Sequence, residues 1–317
     1  MGKLAIGIDI GGMSIKLGVV DKEGKVLRTS SFPVSSKIPQ DKIPGMMEEA
    51  ISSLLKDSGL KASDLSGIGI GCPGAIDSGK GVCDYSNNLG WKGLALTSPL
   101  AKFFSLPVKI TNDANAAALG EARFGAGKGV QNVVLVTLGT GVAGGLVLNG
   151  QLYEGKDGKG AELGHMIIKA GGRKCTCGAR GCLEAYASTS ALLKDARKAM
   201  QKNPSSLLYS LCNGKKENLT GKVVFEAYKE KDRTAVSVLS QYFDYLTIGL
   251  INILNIFRPD VILLGGGISG QKEVLRKPLE DRLEKEHYGF GGGPKVPLKI
   301  AELGNIAGIV GAASLVL

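Results

Sequence analysis

Two stretches of the chain share one alternation of apolar and polar positions: a strand, a glycine-rich turn, a second strand, a tight polar turn and a third strand. The first begins at Ala5, turns at Gly11-Gly12 and again at Asp21-Lys22-Glu23-Gly24; the second begins at Val133, turns at Gly139-Thr140-Gly141 and again at Asn149-Gly150. The polar turns are hairpin signals, and the β-branched alternation around them supports strands. Short apolar runs over residues 67–71, 108–111 and 261–264 read as buried parallel strands. Helical periodicity covers residues 39–58, 113–124, 188–201, 223–229, 234–257 and 270–287, and the apolar segment 305–317 reads as a helix with small residues for close packing. A duplicated strand unit followed each time by helix and strand alternation predicts two α/β domains. We expect one over residues 1–115 together with a returning C-terminal helix at about 301–317, and a larger one over 116–300, with chain crossings near 112–118 and around residue 300.

A length of 317 residues suits two cores better than one. The 47 glycines point to tight turns and to close approach of backbone to a ligand. The formal charge of +10 is compatible with an anionic small-molecule partner or with a merely solvated basic surface. Nucleic acid is not expected, because the lysines are scattered without interleaved aromatics and only a few residues precede the first strand, too few for an appended helix-turn-helix. Neither a signal peptide nor a membrane span is expected: the longest apolar helical stretch, residues 245–257, is too short to cross a bilayer. The expected location is cytoplasmic. Cys72, Cys83 and Cys212 then read as free thiols.

The other three cysteines form a cluster, Cys175, Cys177 and Cys182, preceded by His165 and flanked by Glu162 and Glu184. Three thiolates and one imidazole fill the four tetrahedral positions of Zn²⁺, which leaves no place for a reactive water, so the site reads as structural. The alternative is buried thiols in a loop, but the surrounding Gly171, Gly172, Gly178 and Gly181 offer little apolar surface to bury them. A rigid metal knot would hold Glu162, His165 and Glu184 in fixed positions, where they can bind hydroxyls.

The two glycine-rich turns can present backbone N–H groups to phosphate. In the first, the candidates are Asp9, Gly11, Gly12, Met13, Ser14 and Lys16, with Asp9 placed to hold a hydrated Mg²⁺; in the second they are Thr137, Gly139, Thr140, Gly141 and Gly144. Gly265, Gly266 and Gly267 end a buried strand and can lie beside an adenine or ribose. Each run alone is also what a tight hairpin uses. A dinucleotide fingerprint is excluded because a strand, not a helix, follows Gly11-Gly12, and no Gly-x4-Gly-Lys-Ser/Thr loop occurs. Asp113, where the 108–111 strand meets an alanine-rich helix, is either the helix N-cap or a base for a substrate hydroxyl attacking phosphorus. Trp91, the only tryptophan, reads as core.

Asp9-x-Gly11-Gly12, Asn112-Asp113, Leu138-Gly139-Thr140-Gly141, Glu162-x-x-His165, the Cys175 to Glu184 motif and Leu264-Gly265-Gly266-Gly267 together resemble the signature set of the ROK family of sugar kinases and repressors, in order and over nearly the whole chain. The resemblance implies an α/β fold of two actin/hexokinase-like (ribonuclease H-like) domains with a cleft between them. It implies an ATP-dependent kinase, with Mg²⁺ and a structural Zn²⁺, acting on a hexose such as glucose, and a homodimer or homotetramer. On this analogy Asp113 is the base for the 6-hydroxyl, and Gly74, Asn88, Asn112, Glu162, His165 and Glu184 meet the sugar, with Asn87 an alternative to Asn88. His165 would bind zinc with one ring nitrogen and face the sugar with the other. One departure is Met13, where relatives commonly carry Thr, so a hydroxyl contact to phosphate is missing unless Ser14 supplies it. Three readings follow: a kinase of the glucokinase type, a sugar-sensing regulator, or the same chemistry on N-acetylmannosamine, N-acetylglucosamine, fructose or allose.

Overall fold

The computed structural model describes residues 4–286 and 295–317. Strands β1 (Leu4–Ile10), β2 (Ser14–Val20) and β3 (Val26–Pro33) lead into helix α1 (Ile43–Asp57) and strand β4 (Leu65–Cys72). Short strands β5 (Ala75–Asp77), β6 (Val82–Ser86) and β7 (Trp91–Ala95) follow, then α2 (Thr97–Phe104), β8 (Val108–Asn112) and α3 (Asp113–Phe124). Next come β9 (Val133–Leu138), β10 (Val142–Leu148) and β11 (Gln151–Tyr153), then α4 (Glu184–Ala187), α5 (Thr189–Lys202), α6 (Leu207–Leu211), α7 (Gly221–Lys229) and α8 (Arg233–Phe257). The chain closes with β12 (Val261–Gly265), α9 (Glu273–Glu286), β13 (Leu298–Ile300) and α10 (Ala307–Ser314). His287, the expected end of the 270–287 helix, lies outside the described residues.

The duplication in sequence is a duplication in topology. One sheet runs β3-β2-β1-β4-β8 and the other β11-β10-β9-β12-β13, so each repeat is a three-strand meander whose first strand takes the next long strand as its other neighbour. In the first sheet β1 pairs antiparallel with β2 and parallel with β4, and β4 is parallel to β8. A small third sheet, β5-β6-β7, has no counterpart in the second repeat among the described residues. Two compact units emerge, one formed by the described residues of Met1–Leu135, Gly144–Ala161 and Ala301–Leu317, the other by those of Val136–Ala143 and Glu162–Ile300. The whole of α3 belongs to the first.

The period-two alternation of β1 and β4 divides the first unit. Ile6, Ile8, Ile10, Ile68, Ile70 and Cys72 join Ile43, Met47, Ile51 and Leu54 of α1 in one core. The opposite face carries glycines, and α10 lies on it: a Cβ on Gly7 would overlap the Ile309 carbonyl, one on Gly69 the Ala312 carbonyl, and one on Gly311 the Ala116 carbonyl of α3. The run Gly67-Ile68-Gly69-Ile70-Gly71 is therefore a strand with one face for aliphatic packing and one for backbone approach. This packing sets the position of α3, and with it Asp113. Gly69→Ala is expected to cost about 1–3 kcal/mol through overpacking, read from the urea midpoint. Gly45→Ala in α1, where a Cβ meets nothing within 4 Å, is expected to leave stability unchanged or raise it by about 0.5–1 kcal/mol.

In the second unit α4, α5, α7 and α8 enclose Leu183, Tyr186, Leu192, Phe225, Phe243, Leu246 and Leu250, all buried. Asp232 caps α8 by accepting the Ala235 N–H at 2.9 Å, and Ser188 caps α5 by accepting that of Ala191 at 3.1 Å. Trp91 is in the core of the first unit, as read. Among the described residues no helix is long and apolar enough to cross a membrane.

Candidate active site

In the first unit Asp9 ends the buried run of β1, opposite Lys16 of β2 and Gly71 of β4. Its carboxyl rests where a Cβ on Gly308 of α10 would clash, so the small residue at 308 makes room for it. Burial raises the Asp9 carboxyl above its usual range, and the charge of Lys16 pulls it part of the way back. A hard-oxygen ligand in such a place favours a nearby cation. The turn beyond it is pinned by the Gly11 N–H donating to the Ser14 carbonyl at 2.9 Å, while Gly12 is exposed and Met13 is 85% exposed.

Asn112 and Asp113 stand at the junction of β8 and α3. The N-cap is Asn112, not Asp113: its Oδ1 accepts the Ala114 N–H at 2.8 Å with extended backbone at φ −64°, ψ 151°. Asp113 is the first helical residue, and its own Oδ1 also accepts the Ala114 N–H, at 3.0 Å. The capping role considered for Asp113 is thus supplied by its neighbour. The Asn112 amide donates to the Gly74 carbonyl at 3.2 Å, so Gly74, Asn112 and Asp113 are brought together. Gly74 has φ +121°, and a Cβ there would overlap the Tyr85 carbonyl, so no other residue fits without rebuilding the β6 hairpin. Asn88 is exposed in the turn after β6, and the Asn87 Oδ1 is occupied by the Tyr85 hydroxyl at 2.9 Å.

In the second unit His165, Cys175, Cys177 and Cys182 converge, their ligand atoms all within 4.8 Å of one another. His165 Nδ1 lies 3.8 Å from Cys175 Sγ, and Cys177 Sγ lies 3.7 Å from Cys182 Sγ. The other ring nitrogen, Nε2, faces Glu162 Oε2 at 4.0 Å. The imidazole therefore has one edge toward the sulfurs and one toward a carboxylate. Burial, then the adjoining Cys177 and Cys175 sulfurs, push the Cys182 thiol up to about 12. Thiols this crowded ionise together only beside a cation, and an S₃N set is suited to a tetrahedral divalent ion. The loop reaches this shape through a bridge between Ile167 and Cys182, and through Gly164, where a Cβ would overlap the Val142 carbonyl.

Glu184 links this cluster to the second glycine-rich turn. Its Oε1 accepts the Thr176 hydroxyl at 2.7 Å and lies 3.6 Å from Cys175 Sγ, while its Oε2 accepts the Val142 N–H at 3.1 Å. Gly141 is the residue it lies against: a Cβ there would overlap Oε2. The turn itself is held by the Gly139 N–H to the Gly141 carbonyl at 3.0 Å, the Thr189 N–H to the Gly139 carbonyl at 2.8 Å and the Ser190 hydroxyl to the Thr140 carbonyl at 2.8 Å. Thr137 donates its hydroxyl to the Ala143 carbonyl at 3.4 Å within the hairpin, and Gly144 is buried inside β10 beyond the turn. Gly265 ends β12; Gly266, at φ +80°, packs so closely on Leu138 that a Cβ would sit 2.6 Å from its carbonyl oxygen, and Gly267 opens a 3₁₀ turn. The second and third glycine clusters are therefore neighbours.

Sequence reasoning did not anticipate Thr176, Thr189 and Ser190, which hold the Glu184 carboxylate and the turn carbonyls. The run Ser188-Thr189-Ser190 before a helix is a cap signal, but nothing in it indicates which distant carbonyls it serves.

The ROK family model matches residues 5–317. The glucokinase of Thermotoga maritima is 38% identical over 316 residues, covering 98% of this chain and 96% of its own. The xylose repressor of Bacillus subtilis is 31% identical over 316 residues, 99% of this chain and 77% of its own. In three dimensions, a ROK family glucokinase from Streptomyces griseus in complex with glucose and AMPPNP aligns with a TM-score of 0.80 at 33% identity, covering 99% of both chains. The architecture is the two-domain actin/hexokinase-like fold of those neighbours. With its duplicated sheets, its glycine turns and its Cys/His cluster in family order, the chain belongs to the ROK family of sugar kinases and repressors.

Proposed function

We propose that this chain transfers the γ-phosphoryl group of ATP to the 6-hydroxyl of glucose. What carries the reading is full-length likeness to proteins named glucokinase, one of them solved with glucose and an ATP analogue and aligned over 99% of this chain. Asp113 is the base. As first residue of α3 its carboxylate lies at the positive end of the helix dipole, where it can accept the 6-hydroxyl proton as that oxygen attacks phosphorus. The new O–P bond forms at the sugar while the bond to the β-phosphate oxygen breaks, and ADP leaves with the electron pair. Asn112, Glu162, His165 and Glu184, with Gly74 and Asn88, hold the hydroxyls, and the three glycine clusters hold the nucleotide.

Two metal ions complete the reading. Asp9 would hold the Mg²⁺ supplied with ATP, an ion that would neutralise phosphate charge there. His165, Cys175, Cys177 and Cys182 would hold a zinc ion, which suits them by number and softness of donors and would anchor the loop that carries the sugar-binding acids. The test is a phosphorylation assay with MgATP over glucose, allose, fructose, N-acetylglucosamine and N-acetylmannosamine. Glucose is expected to exceed each of the others by at least about tenfold in kcat/KM; a preference for an N-acetylhexosamine would move the assignment to that substrate, and phosphorylation of none would remove it.

A further inference from the structure

Asp113 follows a strand that has a single strand neighbour. Among the described residues β8 is the edge of its sheet and pairs with β4 alone, so its last residues need a support other than a second ladder. The period-two alternation puts Ile110 in the core shared with α1 and Thr111 on the opposite face, beside Gly71 of β4. That face carries the first turn of α3: a Cβ on Gly71 would meet the Ala116 Cβ at 3.0 Å and the Asp113 Cα at 3.6 Å. Thr111 is fully buried there. Valine would fill the same volume with no hydroxyl to satisfy, so the hydroxyl is of use only through its partner.

That partner is Glu154. The Thr111 hydroxyl donates to Glu154 Oε1 at 2.6 Å, the short separation of a hydroxyl bonded to a carboxylate. Glu154 follows β11 and opens a loop that the Gly160 N–H closes by donating to the Glu154 carbonyl at 2.7 Å. The loop is pinned to the small sheet. Lys159 Nζ lies 2.7 Å from Asp84 Oδ2 of β6, and a Cβ on Gly158, which has φ +73°, would sit 2.4 Å from the Ile76 carbonyl oxygen of β5. The two residues before Asp113 are thus tethered separately, Asn112 to the Gly74 carbonyl and Thr111 to the loop that Glu154 opens.

We propose that Glu154 is a positioning residue for phosphoryl transfer, a proposal that rests on the kinase reading. It holds Thr111, and through the end of β8 it sets the distance and angle at which the Asp113 carboxylate takes the 6-hydroxyl proton. Its effect passes through Thr111 and Asp113 and needs no contact with sugar or nucleotide. A displacement of about 1 Å at reacting groups can cost about 100-fold in rate, so one tether beside the base is enough to matter.

The experiment measures kcat with MgATP and glucose, calorimetric glucose affinity and the urea midpoint for Glu154→Ala, Glu154→Gln, Thr111→Val and Thr111→Val/Glu154→Ala, and for Glu154→Ala placed in Asp113→Asn. Glu154→Ala and Thr111→Val are each expected to lower kcat about tenfold with glucose affinity within about threefold of wild type, and Glu154→Gln, which keeps an acceptor, to recover most of the rate. The double variant removes the orphaned hydroxyl, so its urea midpoint is expected to rise above that of Glu154→Ala while its kcat stays as low as that of either single variant. With Asp113 already replaced, Glu154→Ala is expected to cost no more than about twofold, because no base is left to misplace. Wild type active on glucose with kcat of Glu154→Ala within about twofold of it overturns the proposal and leaves the kinase reading standing. A parallel loss of glucose affinity makes Glu154 a binding residue, a kcat that follows the urea midpoint across the set makes the bond structural only, and a full further loss in Asp113→Asn shows action independent of the base; each of these also overturns it. A wild type that phosphorylates no hexose removes both.

Discussion

Replacing Asp113 with asparagine lowers turnover by about two to four orders of magnitude while the glucose dissociation constant stays within about twofold. The substitution is nearly isosteric and removes the negative charge, and with it the ability to take a proton, while leaving an amide oxygen that can still accept the Ala114 N–H. The helix does not depend on Asp113 for its start, since Asn112 supplies the cap, so the fold and the Asn112 contact to Gly74 are expected to survive. That separates the effect from the stability loss of about 1 kcal/mol that follows removal of a cap. Rapid-quench measurement of kcat alongside calorimetric glucose binding distinguishes the outcomes: an unchanged kcat excludes Asp113 as the base, whereas an equal loss of binding and turnover makes it a binding residue.

Replacing Cys182 with serine is expected to release roughly one metal ion per chain and to weaken glucose binding about 10- to 100-fold, the range for disturbing the supports of a metal site. Cys182 is fully buried beneath the loop and bridges to Ile167. On that loop Thr176 holds Glu184, and Cys175 approaches both Glu184 and His165. Losing the ion leaves crowded thiols with no cation, and the loop that sets both acids relaxes. The effect on sugar binding is thus indirect: no sulfur need touch the sugar. Elemental analysis of the purified protein with calorimetric glucose titration reads both parts, and a metal-free protein with full affinity contradicts the assignment.

Helix α3 was legible to the residue because a strand-ending Asn-Asp pair meets an alanine-rich run. Which of the two caps was not, since both residue types cap well and only backbone angles separate them. The long helices α5, α7 and α8 fell within one or two residues of their periodic patterns. By contrast β5, β6 and β7 have three to five residues each, too few for alternation to stand above a loop, and α4 and α6, at four and five residues, carry no measurable period. The glycine-rich strand at 67–71 was placed correctly, but its glycines read as features of a buried strand, whereas the seat they form for α10 appears only when residues more than two hundred positions apart are in contact. The Cys/His group was readable from donor types. The hydrogen bond that the Val142 N–H donates to Glu184, which joins that group to the second glycine-rich turn, depends on a long-range meeting that local pattern does not encode.

The most direct test of the kinase assignment is a single-turnover reaction of the protein with MgATP and glucose, the product located by ³¹P and ¹³C NMR. One sugar phosphate esterified at the 6-oxygen, formed in equal amount with ADP and suppressed in Asp113→Asn, is the result expected of this site. ATP hydrolysis without a sugar phosphate, or esterification at the anomeric oxygen, would contradict it.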